Sequence, residues 1–278
     1  MPSTATLRAH VESTLSERLS STLILREKAS PLMAPTGVVA FDILTGGLPR
    51  GALSEITGPA SSGRTSVMLA ALARSTRREE ACALVDASDS FDPASAAAAG
   101  VDLDRLLWVR CGERDRTSLH KGQRRSVLGR LEQVLKVTDL LLQGGGFGMV
   151  VLDLGDIPVE SARRVPLTSW FRFRRAVEST ATVLLVVERE PCAKTCASLV
   201  VRLQRTAMCA LDTAPSTETE FPEWKVLDHE TSAIPPANVV SHAALLRGMQ
   251  LRAEVGRSWV QRKPMHSVGA SFELRAAW

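Results

Sequence analysis

The chain has 278 residues, a net charge of +4, and 45% hydrophobic against 23% charged residues, the balance of a folded globular protein. No apolar run is long enough to span a bilayer, and the N-terminus lacks the basic-then-apolar order of a secretory signal, so a cytoplasmic protein with no membrane partner is expected. Five cysteines without a disulfide rhythm, and no His or Cys cluster that completes a zinc site, point to reduced thiols.

Residues 5–28 read as an amphipathic helix, because Leu7, Val11, Leu15, Leu19 and Leu23 recur at every fourth position. Pro31 and Pro35 mark a linker, so residues 1–35 form an N-terminal helix and tether. The apolar stripe must be covered either by its own domain or by a neighbouring subunit or partner. From 36 to 212, short apolar runs alternate with helical stretches, as in βαβ units. Runs at 54–57, 83–86, 106–109, 148–153, 182–187 and 198–203 read as strands. Helices are expected at 67–78, 94–99, 126–143 and near 167–179. The fold class is therefore α/β, a twisted and mainly parallel sheet with helices on both faces. Residues 213–278 form a loop-rich extension of the same domain, in which 249–254, 259–262 and 270–274 suit short antiparallel strands.

The strand at 54–57 runs into Gly58, Ser61, Ser62, Gly63, Arg64, Thr65 and Ser66. This is the spacing of a phosphate-binding loop, in which glycines let backbone N–H groups close around phosphate oxygens. The hydroxyl that would face Mg²⁺ is Thr65, but Arg64 stands where the pattern has lysine. About ninety residues on, an apolar strand ends in Asp153, the residue type that holds the Mg²⁺ water shell. Loop, helix and strand together read as an NTPase-type core, with ATP and Mg²⁺ as the candidate ligands.

Gly46, Gly47, Leu48, Pro49 and Gly51, then Glu55, Ile56, Gly58 and Pro59, resemble the bacterial RecA recombinases. So do Asp86-Ala87, Asp92-Pro93 and the run Gly100 to Asp104. The resemblance covers roughly 36–212 and implies a RecA-like core. It also implies losses. The family's catalytic glutamate corresponds to Ser88, with Asp89 next to it as a substitute base. The adenine-stacking tyrosine corresponds to Ser95, although Asp92 remains, and the γ-phosphate sensor corresponds to Arg189. The DNA loop after it is reduced to a few residues beyond Glu190, and the first DNA loop region, 155–166, is compact. Arginine for lysine is not conservative at a tightly cradled phosphate, and serine is no general base at neutral pH. No confident catalytic residue remains. Residual nucleotide binding and complete loss of a nucleotide role both stay open.

Arg163, Arg164, Trp170, Arg172, Arg174 and Arg175 form the densest basic-aromatic cluster. It is either a solvated helix face with Trp170 and Phe173 turned inward, a single-stranded DNA contact, or a partner surface. In size and in its eroded motifs the chain resembles ImuA, the RecA-like accessory family of a bacterial DNA-damage mutasome. That resemblance implies an SOS-response role in translesion synthesis, with a Y-family polymerase relative and a replicative-type polymerase as partners and a nucleoid association. A slow DNA-dependent ATPase, or a regulator of authentic RecA filaments acting through the N-terminal helix, are the alternatives.

Overall fold

The computed structural model describes residues 31–111, 127–210, 246–258 and 269–275. Its contacts divide the chain into two units, 1–31 and 32–278. The expected helix carrying Leu7, Val11, Leu15, Leu19 and Leu23 and the expected strand at 259–262 lie outside the described residues.

A small antiparallel pair, β1 (Met33–Ala34) with β2 (Leu48–Pro49), brackets helix α1 (Val39–Thr45). An eight-stranded sheet follows, made of β3 (Ala52–Thr57), β4 (Cys82–Asp86), β5 (Leu106–Arg110), β6 (Met149–Asp153), β7 (Val183–Glu188), β8 (Leu199–Ala210), β9 (Leu246–Ser258) and β10 (Gly269–Arg275). The strand order is β10-β9-β8-β3-β7-β6-β4-β5. Six of these strands, β8 through β5, run parallel, and β9 and β10 complete the sheet antiparallel. The helices are α2 (Arg64–Thr76), α3 (Pro93–Ala98), α4 (Val127–Gly144), α5 (Val159–Arg163) and α6 (Leu167–Glu178). The α/β class expected from the alternating pattern is the observed one.

The strand period of two divides the apolar side chains between two cores. Ile56, Leu84, Met149, Val151, Leu185 and Val187 face α1 and α2, meeting Phe41, Val67, Met68 and Leu72. Leu53, Val85, Val150, Leu152, Leu184 and Val186 face α4, α5 and α6, meeting Leu131 and Val134 of α4 and Trp170, Phe173 and Val177 of α6. On α6 these three recur at i, i+3 and i+7, one stripe of the helix. Trp170 and Phe173 are fully buried and meet edge to face, with centroids 5.9 Å apart.

Several elements depart from the pattern-based reading, helix α1 and strand β8 among them. Helix α1 falls where no helix was expected. Its seven residues include β-branched Val39, Ile43 and Thr45, which are poor helix formers. Tertiary contact overrides that propensity: the Asp42 carboxylate accepts from Thr36 N–H at 2.9 Å, Thr36 Oγ1 at 2.8 Å and Gly37 N–H at 3.1 Å, pinning the incoming chain. Strand β8 runs well beyond the expected 198–203, because its second half pairs with β9 rather than with β3, through register shifts at Val200/Val201 and Arg205/Ala207.

Trp170→Ala leaves a large cavity under α6 and is expected to lower stability by about 3–5 kcal/mol in urea unfolding. A change under 1 kcal/mol would contradict the buried placement.

Candidate functional site

Strand β3 sends the chain across β7 and β6 to β4, whereas β7 sends it back across β3 to β8. Connections leave the β3–β7 pair in opposite directions, and the crevice beyond the carboxyl ends of such a pair is where open α/β sheets hold ligands. The loop after β3 lies there. Gly58 N–H donates to the Glu188 carbonyl at 3.2 Å, and Ser62 N–H to the Pro59 carbonyl at 3.2 Å. Gly63 caps the thirteen-residue α2 at φ +84°, a left-handed conformation natural to glycine. Space also demands the glycines: a Cβ on Gly58 would strike the Leu203 carbonyl oxygen and Ser62 Oγ, and one on Gly63 would strike Leu251 Cδ1. Ser62 is buried, Ser61 and Thr65 are exposed, and Ser66 is half-buried. The N-terminus of α2, with its unpaired N–H groups, can therefore hold an anion, with the Thr65 hydroxyl open to a hydrated cation.

The side chain of Arg64 turns toward the end of β6. A Cβ on Gly155 would stand 3.3 Å from Arg64 Nη1 and 3.1 Å from Asp153 Oδ1, so the guanidinium lies against Gly155 beside that carboxylate. Asp153 Oδ1 accepts the Gly155 N–H at 2.9 Å, and Arg189 Nε donates to the Gly155 carbonyl at 3.1 Å. Two arginines and Asp153 thus converge on one glycine. Arg64 is 9% exposed, and its Nη1 is buried without a hydrogen-bond partner among the described residues. Burial draws its guanidinium below the usual arginine range, against the pull of Asp153. Burial also pushes the Asp153 carboxyl up to about 6, opposed by the Gly155 N–H bond, with the Asp86 charge adding to the rise. Arg64 and Asp153 are the two groups that can hold a phosphate and a cation shell here.

The acids at the end of β4 are both engaged. Asp86 accepts from the N–H groups of Ser88, Ser90 and Phe91 at 3.1, 3.2 and 2.9 Å, and from Trp108 Nε1 at 3.3 Å. Asp89, the candidate substitute base, is gripped by Arg110 in a two-point ion pair, Nε to Oδ1 at 2.6 Å and Nη2 to Oδ2 at 2.8 Å. The Arg110 guanidinium also lies 4.6 Å from the Trp108 ring centroid. Asp92 caps α3, accepting from Ala94 N–H, Ser95 N–H and Ser95 Oγ. Those bonds hold its carboxyl below the usual range, the Ser95 hydroxyl most of all.

The basic cluster divides. Trp170 is not on a DNA or partner surface with the arginines: as in the inward-turned reading, it belongs to the core under α6, and with no exposed face it cannot stack on a base. Arg163 pairs with Glu190, and Arg172 pairs with Asp139 at 2.8 Å and lies over Phe173. Arg164 and Arg175 are exposed without a carboxylate partner among the described residues, and Arg174 is half-buried.

One constellation escaped sequence reading. Glu55 of β3 and Glu188 of β7 are buried side by side, with Cys192 against them. Burial and the neighbouring Glu55 raise the Glu188 carboxyl to about 9, and burial pushes the Cys192 thiol up as well. The signal was present, an acid in each of two strands buried along their whole length, but only the fold brings them together.

Asp153 has a folded pKa of about 6 against an ordinary 3.8, so its contribution to stability is full below pH ~4 and is lost as pH rises through about 6. The side chain keeps an edge open to solvent, which holds the effect on the order of 2 kcal/mol. Asp153→Asn should flatten that fall in urea unfolding series between pH 4 and 7. An unchanged slope would refute it.

Comparison with known proteins fits this geometry. Residues 20–121 match the family model of the RecA N-terminal domain. The chain is similar to Protein RecA of Clavibacter michiganensis, 37% identical over 129 residues, which is 46% of this chain and 31% of that protein. It is similar to Protein RecA of Symbiobacterium thermophilum, 39% identical over 121 residues, 43% of this chain and 30% of that one. Protein RecA of Ectopseudomonas oleovorans is 38% identical over 120 residues, 42% and 30% of the two chains. Each match spans less than a third of the relative's length. Joined to the mainly parallel sheet and the switch-point loop, these likenesses support a RecA-like core.

Proposed function

We propose that this RecA-like chain is an accessory protein of DNA repair and damage tolerance, acting through protein partners, and that it has given up efficient ATP turnover and strand exchange. The observation that carries the reading is the state of the general-base position. Ser88 stands there, and its acidic neighbour Asp89 is spent on Arg110. A positioned base contributes about 10²–10⁴-fold to a rate, so a site without one holds nucleotide better than it turns it over. The exposed Arg164 and Arg175 offer charge to a single-stranded nucleic acid. The polymerases of error-prone translesion synthesis, a Y-family relative and a replicative type, are the protein partners of this reading, in the setting of an SOS response.

A second reading is supported by the loop itself. Its cradle is intact, and the buried Arg64 Nη1 has no partner among the described residues, an arrangement suited to a retained phosphate. In that reading a nucleotide is held through Gly58, Ser61, Ser62, Gly63, Arg64, Thr65 and Ser66, with Thr65 and Asp153 toward Mg²⁺ and Asp92 near the base. The bound nucleotide would act as a structural ligand rather than as fuel.

ATP turnover measured with single-stranded DNA is expected to stay at background for wild type, Asp153→Ala and Arg64→Lys. The double variant Arg64→Lys with Ser88→Glu should rise about 100-fold or more above it. DNA-stimulated turnover in wild type that Asp153→Ala abolishes would instead establish a slow ATPase. In parallel, the tagged chain should retain the purified polymerases. Retention of RecA alone would favour a filament regulator.

A further inference from the structure

Beneath the phosphate loop, Glu55, Glu188 and Cys192 are 0%, 1% and 1% exposed, and a carboxylate oxygen of each acid and the thiol sulfur lie within 4.8 Å of one another. Each carboxylate is oriented by the backbone. Cys192 N–H donates to Glu55 Oε1 at 2.9 Å and to Glu188 Oε1 at 3.0 Å, and Ala193 N–H donates to Glu55 Oε1 at 2.6 Å. The other two oxygens, Glu55 Oε2 and Glu188 Oε2, are buried and receive no N–H or hydroxyl among the described residues, leaving the two acids and the Cys192 thiol to face one another. Two carboxylates shut away from water are tolerated only with a shared proton or a cation between them.

We infer that Glu55, Glu188 and Cys192 form a buried site for a divalent transition-metal cation of the zinc type, tying β3, β7 and the segment after β7 into one unit. The donor set selects the class. A thiolate is a soft ligand that disfavours Mg²⁺ and Ca²⁺, and a mixed sulfur–carboxylate set suits Zn²⁺ or its surrogate Co²⁺. Metal–sulfur and metal–oxygen bonds of about 2.3 and 2.1 Å place ligand atoms roughly 3.5 Å apart, so the cluster closes by at most about 1.3 Å on binding. Binding expels two protons, the one the carboxyl groups share and the one on the thiol. Two carboxylates, one thiolate and a dication leave a charge of −1, which the fields of Lys194 at Cys192 and of Arg64 at Glu188 offset. With no exposed ligand, the site is loaded as the chain folds and serves structure rather than catalysis.

The test uses the full chain, produced in cobalt-supplemented cells and desalted, with Co²⁺ as the probe. One cobalt per chain and a thiolate-to-cobalt charge-transfer band in the near ultraviolet are expected. Cys192→Ser should abolish the band, Cys82→Ser and Cys111→Ser should keep it, and Glu188→Gln should weaken retention about tenfold or more. The glutamine variant preserves the backbone bond at Oε1, and its circular dichroism checks folding. A folded wild type that retains no cobalt would show that the carboxylates merely share a proton and would overturn the inference. A band that survives Cys192→Ser would overturn it too.

Discussion

A parallel strand covered on both faces has no wet side, so a slip of one residue would move every apolar side chain into the wrong core. The central strands β3, β7, β6 and β4 live under that constraint, and the rest of the molecule answers it. Their register sends Ile56, Leu84, Val151 and Leu185 to one set of helices and Leu53, Val85, Leu152 and Leu184 to the other. It also aligns the strand ends: Thr57 pairs with Glu188, and Asp153 pairs with Val187 and Asp86. Loop, acid and arginine therefore meet because the cores on either side fix where each strand stops.

At that meeting place the backbone has the shape of a phosphate loop and the charges gather on one glycine. Gly58 and Gly63 still fill positions that any Cβ would disrupt. Around them, the cation of the loop leans on Gly155 beside Asp153, and Arg189 reaches the same residue from β7. A lysine would present a compact charge on a flexible stem; a planar guanidinium presents a broad face that one small residue can accommodate. Gly155 is small, and its closeness to Arg64 shows what the exchange requires of its surroundings.

The sequence was most readable where periodicity is strong and local. The apolar runs that became β4, β6 and β7, the stripe of α6 and the loop at Gly58–Ser66 all carry their geometry in the order of residues. It was least readable where distant contacts decide. Helix α1 has no propensity to announce it, only Asp42 folding back on Thr36 and Gly37. The outer half of β8 exists because β9 pairs with it. Asp89 looked available until Arg110, twenty-one residues away, proved to hold it, and Glu55 shows its meaning only beside Glu188, which strand pairing brings to it. The basic-aromatic run was legible as a helix, while the inward turn of Trp170 depended on which stripe of that helix the core selected.

The turn after β4 has an evolutionary corollary. Its backbone is suspended from Asp86, which accepts the N–H groups of Ser88, Ser90 and Phe91 and the indole of Trp108. None of those bonds uses the side chain at position 88. The turn is therefore hung without help from that side chain, which leaves the residue there free of this hydrogen-bonding role. A catalytic group mounted on such a scaffold survives only while its chemistry is needed. Once that need lapses it can drift away silently, leaving an undamaged protein free to be recruited for other work.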